Sequence, residues 1–86
     1  MERVEIYTSP LCGYCQAAKS LLNKERIAFT EYDVLLDSTR KGEMLTRSAG
    51  QRTVPQIFID GVSVGGFDEL TRLDIQELIR KQPNSD

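Results

Sequence analysis

The apolar positions in the first half of the chain predict a strand, a helix and a second strand. Val4, Ile6 and Tyr7 predict a strand over residues 2–7, followed by a turn at residues 8–11. Residues 12–25 carry apolar side chains at helical spacing, on a face that holds Cys15, Ala18, Leu21 and Leu22. Residues 27–34 alternate loosely and predict the second strand. A helix between two short strands favours parallel pairing with a right-handed crossover.

The next segment predicts a second helix. Asp37 or Ser38 can serve as its N-cap, because both side chains can accept a hydrogen bond from the first turn. The helix is expected to run to about Ala49, with Gly50 as its C-terminal stop. Its inner face is predicted to hold Met44, Leu45 and Ser48.

A hairpin is predicted after the second helix. Residues 56–59 form the most apolar strand in the chain. Asp60-Gly61 is typical of a two-residue turn of the primed type, so residues 62–64 are expected to return as the next strand. Gly65-Gly66 ends that strand.

The last part of the chain predicts helical structure. Phe67-Asp68 opens a helical segment, and Asp74 with Glu77 three residues later predicts the cap of a final helix. The order is therefore β-α-β-α-β-β-α, an α/β chain with a four-stranded mixed sheet and helices on both faces. The side chains expected to face inward in the last segments are Leu70, Leu73, Leu78 and Ile79.

Length and charge narrow the classes of function. Residues 1–86 are expected to form a single domain, with residues 83–86 as a frayed tail. The formal net charge is −2 and no basic cluster occurs, so nucleic acid is not an expected partner. Apolar runs are too short for a membrane span and the N-terminus does not resemble a secretion signal, so we expect a cytoplasmic protein without a membrane partner.

The candidate chemistry lies in the only two cysteines, Cys12 and Cys15, at the start of the first predicted helix. Unpaired N–H groups and the helix dipole at that end stabilise a thiolate, the nucleophile in disulfide exchange. Cys15 lies one turn further in and can reach the Cys12 sulfur. A Cys-x-x-Cys pair beside a βαβ pattern predicts a dithiol–disulfide oxidoreductase.

Two structural alternatives compete with this interpretation. A structural disulfide between Cys12 and Cys15 would close a very small loop and stabilise little, since the gain grows with loop length. Half of a zinc site is the other alternative. Structural zinc needs four ligands, and a chain with two cysteines and no histidine cannot supply a set made of Cys and His alone.

Three motifs in this order resemble the glutaredoxins of the thioredoxin-like fold. Residues 4–8 followed by Cys12-Gly13-Tyr14-Cys15 resemble the first strand and the active site. Residues 53–59, with the sequence Thr-Val-Pro-Gln-Ile-Phe-Ile, resemble the cis-proline segment. Gly65-Gly66-Phe67-Asp68 resembles the glycine turn that holds glutathione. The similarity covers residues 4–73, nearly the whole chain.

The resemblance implies a role for each matching residue. Cys12 would be the nucleophile and Cys15 the resolving thiol, which together form the redox disulfide. Pro55 would be cis, with Val54 offering its backbone N–H and C=O to the cysteinyl part of glutathione. Tyr14 would pack beside the ligand, Asp68 would take its γ-glutamyl ammonium group, and the backbone N–H groups of Phe67 and Asp68 would take the γ-glutamyl carboxylate. Thr53 and Gly66 would be further glutathione contacts.

Two departures from the family pattern concern the active-site turn. Many dithiol glutaredoxins have proline between the cysteines, where this chain has Gly13, which loosens the turn. Many also carry a basic residue a few positions before the first cysteine, where this chain has Ser9-Pro10-Leu11. Gln51 or Arg52 could anchor the glycyl carboxylate of glutathione instead, although both also fit a solvated loop.

The resemblance implies a monomeric glutathione-dependent oxidoreductase. Its substrates would be protein–glutathione mixed disulfides and protein disulfides, and glutathione reductase would regenerate the glutathione. An alternative is a [2Fe-2S] cluster shared by a dimer, held by Cys12 of each chain and two glutathiones, which Gly13 leaves open. A thioredoxin is a third interpretation, opposed by the absence of tryptophan before Cys12 and by the glycine turn.

Overall fold

The computed structural model describes residues 3–77 and contains the predicted elements in the predicted order. Residue 2, the inward positions Leu78 and Ile79, and the tail at residues 83–86 lie outside the described residues. Within the described part, no helix is long and apolar enough to cross a membrane. The elements are β1 (Val4–Thr8), α1 (Gly13–Lys24), β2 (Thr30–Asp33), α2 (Ser38–Arg47), β3 (Gln56–Ile59), β4 (Val62–Gly65) and α3 (Phe67–Thr71).

The four strands form one mixed sheet in the order β2-β1-β3-β4. β1 pairs with β2 in parallel and with β3 antiparallel, and β3 and β4 form an antiparallel hairpin. The hairpin turn has φ of 54° at Asp60 and 81° at Gly61. Two successive positive φ values define the primed turn, as the sequence predicted.

Side chains on the two faces of the sheet build two cores. One core joins β1 and β3 to α1 and α3, and includes Ile6, Leu22 and Leu70. The other lies under α2 and includes Tyr7, Met44 and Phe58. Neighbouring residues of β1 alternate between the two cores because successive side chains of a strand point to opposite faces. The prediction of helices on both faces is confirmed.

The ends of the helices differ from the predicted boundaries. The second strand was predicted to begin at residue 27 but begins at Thr30. Ile27 instead takes part in closing the C-terminal end of α1, because its N–H bonds the carbonyl of Leu22 at 2.9 Å. The second helix ends at Arg47, two residues earlier than predicted, because Ala49 adopts φ of 59° and the N–H of Gly50 bonds back to Leu45. A left-handed residue of this kind ends a helix.

The predicted caps are confirmed, whereas one of the predicted inward positions is exposed. Asp37 is the N-cap of α2, since its carboxylate accepts from the N–H groups of Thr39 and Arg40. Asp74 accepts from the N–H of Glu77 at 3.0 Å, as the predicted cap requires. Leu73, predicted to face inward, is 37% exposed because α3 ends at Thr71 and Leu73 lies past the helix.

A charged network anchors α2 to the centre of the sheet. Glu5 is 7% exposed in the middle of β1, and Arg47 donates to its carboxylate at 2.9 Å. Arg47 also donates to the Tyr7 hydroxyl at 2.7 Å and lies 4.2 Å from the centre of the Phe58 ring. Arg47 lowers the pKa of Glu5, whereas burial and the Glu43 carboxylate raise the pKa of Tyr7 to about 12. The carboxylate in the central strand is therefore stabilised by Arg47.

Replacing Arg47 by Met should destabilise the protein by about 2 kcal/mol at pH 7, because it leaves the Glu5 carboxylate buried without its cation. Arg40→Met is the matched control, and it should cost under about 1 kcal/mol because Arg40 and its partner Glu43 are both more than a third exposed. Urea unfolding would measure both.

The difference between wild type and Arg47→Met should also depend on pH. Because the folded-state pKa of Glu5 is depressed below 4.5, this stabilisation is present above pH 4.5 and is lost as pH falls through the folded-state value. The two proteins should therefore converge in stability as pH falls through the folded-state pKa of Glu5. A gap that stays constant from pH 7 to acid would contradict the role of Glu5.

Candidate functional site

The cysteine pair lies at the N-terminus of α1, after the turn that follows β1. Cys12 is the N-cap of α1, and its Sγ accepts from the N–H of Cys15 at 3.1 Å. The two residues are joined as a disulfide, with their Cα atoms 5.2 Å apart. Cys12 is half-buried, whereas Cys15 has no exposed surface. The predicted placement of both cysteines is confirmed.

This placement makes the two sulfurs chemically unequal. In the reduced protein, the N–H groups of the first turn face the Cys12 sulfur and favour its thiolate form. The Cys15 sulfur lies inside the turn, where burial disfavours a charge. Cys12 is therefore the sulfur suited to attack an external disulfide, and Cys15 the one suited to attack Cys12.

The segment before β3 approaches the reactive sulfur. The peptide bond between Val54 and Pro55 is cis, as the resemblance implied, and Pro55 is buried. The carbonyl oxygen of Val54 lies 3.6 Å from the Sγ of Cys12. A substrate sulfur bonded to Cys12 would therefore lie beside the backbone of Val54.

The glycine turn fits closely against the cis-proline segment. Gly65 has φ of 112°, and a Cβ there would lie 3.0 Å from the side chain of Glu69. A Cβ on Gly66 would lie 3.4 Å from the carbonyl oxygen of Pro55. Glycine at both positions lets the start of α3 approach this segment.

Glu69 is a residue of this site that the sequence analysis missed. Its carboxylate accepts from the N–H of Gly66 at 2.9 Å, and this bond lowers the pKa of Glu69. The signal was present as an acidic residue three positions after the N-cap, the spacing of a capping box. Glu69 thus fixes the turn on which Asp68 is placed.

These segments enclose a cleft of about 340 Å³ beside the cysteine pair. The ring of Tyr14 stacks on that of Phe67, with centroids 5.9 Å apart, and joins α1 to α3 along one wall. Tyr14 is 67% exposed, so most of its ring remains open to a ligand. Apart from Cys12 and the candidate anchors Gln51 and Arg52, the cleft brings together the predicted glutathione contacts. Its lining is Tyr14, Thr53, Val54, Pro55, Gly66, Phe67, Asp68 and Glu69.

The alternatives for the missing basic residue lie elsewhere. Gln51 and Arg52 are exposed, and neither lines the cleft. Gln51 instead lines a neighbouring depression of about 400 Å³ with Ser48, Gln56 and Gly66. An anchor at Gln51 or Arg52 for a ligand carboxylate stays a prediction.

A larger depression of about 580 Å³ lies over α2 and is lined mainly by charged side chains. Its charges pair with one another, Arg47 with Glu5, Arg40 with Glu43 and Arg3 with Asp60. This depression contains neither cysteine, and its lining residues are already paired in ways that stabilise the fold. The candidate site is therefore the smaller cleft.

The cluster alternative depends on ligands from outside this chain. Among residues 3–77, no group of three or more His, Cys, Asp or Glu side chains could hold a metal ion. Cys12 is the accessible sulfur and Cys15 is fully buried. Each chain would thus offer one thiolate, as the shared [2Fe-2S] arrangement assumes, and that arrangement stays a prediction.

The matching family model, the relatives and the solved structure described below all belong to one family. The glutaredoxin family model matches residues 4–64. The chain is 46% identical over 74 residues to Glutaredoxin 3 of Escherichia coli (strain K12), covering 86% of this chain and 88% of that protein. It is 38% identical over 90 residues to Glutaredoxin 1 of Rickettsia prowazekii (strain Madrid E), covering 99% and 95%. The solution structure of a glutaredoxin from Brucella melitensis matches with a TM-score of 0.72 and 42% identity, covering 93% of this chain and 86% of that one.

Alkylation should distinguish the two thiols. Brief treatment of the reduced protein with iodoacetamide near pH 7 should modify Cys12 first, because it is the more exposed sulfur and is stabilised as a thiolate. Peptide mass spectrometry over a time course would locate the label. Labelling of Cys15 before Cys12 would show that the assigned roles are reversed.

Proposed function

The chain belongs to the glutaredoxin family of thiol–disulfide oxidoreductases, and we propose that it uses glutathione to reduce protein–glutathione mixed disulfides and protein disulfides. The observation that carries this proposal is the cleft beside Cys12, whose lining combines backbone groups, an aromatic wall and the carboxylate of Asp68. Glutathione offers a peptide backbone, a thiol and an ammonium group, which match those features.

In the proposed complex, the cysteinyl part of glutathione lies along Val54 like an added strand, using its N–H and C=O. Val54 suits this role because its carbonyl oxygen is already 3.6 Å from the Cys12 sulfur. Asp68 takes the ammonium group of the γ-glutamyl part, while the N–H groups of Phe67 and Asp68 take its carboxylate. Tyr14 packs against the side of the ligand. The γ-glutamyl part is thus recognised at the start of α3.

The proposed reaction of a mixed disulfide has two exchanges. The Cys12 thiolate attacks the glutathione sulfur, forming a bond to it and breaking the substrate disulfide, and the released protein thiolate takes up a proton. A second glutathione thiolate then attacks the glutathione sulfur on Cys12. This step releases Cys12 as a thiolate and oxidised glutathione as the product.

Reduction of a protein disulfide requires Cys15. After Cys12 has formed a mixed disulfide with the target, the Cys15 thiol gives up its proton and attacks the Cys12 sulfur. The target sulfur leaves as a thiolate and takes up a proton, so that the target is released as a dithiol. The 5.2 Å separation of the two Cα atoms is compatible with the resulting disulfide. Two glutathiones then restore the dithiol. In this scheme the protein acts as a cytoplasmic monomer, and glutathione reductase recycles the glutathione.

Replacing Asp68 by Asn should lower kcat/KM for a glutathionylated peptide by about tenfold, because a charge-assisted hydrogen bond to the ammonium group is lost. Asp60→Asn is the matched control: it removes the same charge from the hairpin turn at the other end of β3, where Asn is also favoured. A glutathione-coupled assay would measure both variants. Equal values for Asp68→Asn and wild type would remove Asp68 from the substrate site.

The two cysteines should lose different activities when replaced. Cys12→Ser should abolish all thiol transfer, since it removes the nucleophile. Cys15→Ser should retain reduction of glutathione mixed disulfides, which external glutathione can resolve. It should impair reduction of protein disulfides, because attack by Cys15 is intramolecular and has a high effective concentration. Identical losses in both variants, measured on one substrate of each kind, would contradict the mechanism.

A further inference from the structure

Gln56 follows the cis proline directly and has its side chain buried at the start of β3. The residue is 3% exposed. Its side-chain Nε2 donates to the carbonyl oxygen of Thr53 at 3.0 Å and to the Thr53 hydroxyl at 3.3 Å. Its Oε1 accepts no hydrogen bond from any of residues 3–77. The side-chain amide is thus directed at a single residue of the cleft.

The orientation of this amide is fixed by chemistry. A carbonyl oxygen can only accept, so the group facing the Thr53 carbonyl must be the NH₂ of Gln56. Reversing the amide would bring two oxygens together. Gln56 therefore acts on Thr53 as a donor, and a side chain of similar length without a donor could not replace it.

The bond to Thr53 also affects Val54, because the Thr53 carbonyl and the Val54 N–H belong to one planar peptide group. In a trans peptide these two groups point in opposite directions, and Val54–Pro55 is the only cis bond among the described residues. Gln56 lines the neighbouring depression and not the cleft, Val54 lines the cleft and not the depression, and Thr53 lines both. Holding the Thr53 carbonyl on the Gln56 side turns the Val54 N–H towards the cleft.

We infer that Gln56 is a positioning residue, whose amide holds the Thr53–Val54 peptide so that the Val54 N–H faces the cysteinyl part of glutathione. The bond also polarises the peptide group, which makes the Val54 N–H a stronger donor. This inference rests on the proposed function and extends it to a buried residue that does not line the cleft. Gln56 acts through Val54 and does not touch the substrate.

Two variants test the inference with a glutathionylated peptide as substrate. Gln56→Met keeps the length of the side chain and removes the donor, and Gln56→Glu keeps its shape and, when its carboxyl group is ionised, replaces the donor by an acceptor. Both should raise KM about fivefold while kcat at saturating substrate changes less than about twofold. The rate of alkylation of Cys12 by iodoacetamide should stay within about twofold of wild type, since that reagent does not need the Val54 N–H.

Ile57→Val is the stability control. Ile57 is the next residue of β3, has no exposed surface and faces the opposite core, so its truncation lowers the melting temperature without touching Thr53. KM of this variant should equal that of wild type. A rise in KM for Ile57→Val as large as that for Gln56→Met would show that general destabilisation explains the effect, and would overturn the inference.

Wild type supplies the check on the underlying function. Its reaction should saturate with the glutathionylated peptide and be inhibited competitively by S-methylglutathione. Failure of both would overturn the proposed function, and the inference with it. Saturation and competition in wild type, combined with unchanged KM in Gln56→Met and Gln56→Glu, would overturn the inference alone.

Discussion

Burial of β1 on both faces is the constraint on which the rest of the molecule depends. All five of its residues are buried, and it pairs with β2 on one side and β3 on the other. A strand covered on both faces cannot shift its register without moving every side chain to the wrong core. The point where β1 ends is therefore fixed, and Cys12 follows four residues later at the start of α1. The reactive sulfur takes its position from a strand that is buried on both faces.

That constraint creates an electrostatic difficulty, because β1 carries Glu5 in its centre. A buried carboxylate is tolerated when a cation and hydrogen bonds compensate for its lost hydration. Arg47, at the C-terminal end of α2, supplies the cation, and the Tyr32 hydroxyl supplies a further bond at 2.9 Å. The same interaction fixes the end of α2, from which the chain leads to the cis-proline segment. The charge in the central strand thus helps to place the wall of the cleft.

The sequence predicted what depends on local pattern and missed what depends on contacts between distant segments. The order of elements, the primed turn at Asp60 and the position of Cys12 follow from periodicity and turn chemistry, and all are confirmed. The end of α2 was placed too late because an alanine, Ala49, takes the left-handed conformation that sequence assigns to glycine. The cis bond before Pro55 came from family resemblance alone, since composition does not specify it. Gln56 was counted only as a strand residue because its bonds to Thr53 appear only in three dimensions.

Glu69 and Asp68 show how neighbouring carboxylates take different roles at one site. The Glu69 carboxylate accepts a hydrogen bond from the N–H of Gly66 and thereby stabilises the glycine turn. Asp68 is exposed and lines the cleft. Glu69 lines the cleft as well, but its carboxylate already occupies the Gly66 N–H. In the proposed complex a ligand carboxylate would therefore use the N–H groups of Phe67 and Asp68. The two adjacent acidic side chains thus differ in role because one of them accepts a backbone hydrogen bond within the turn.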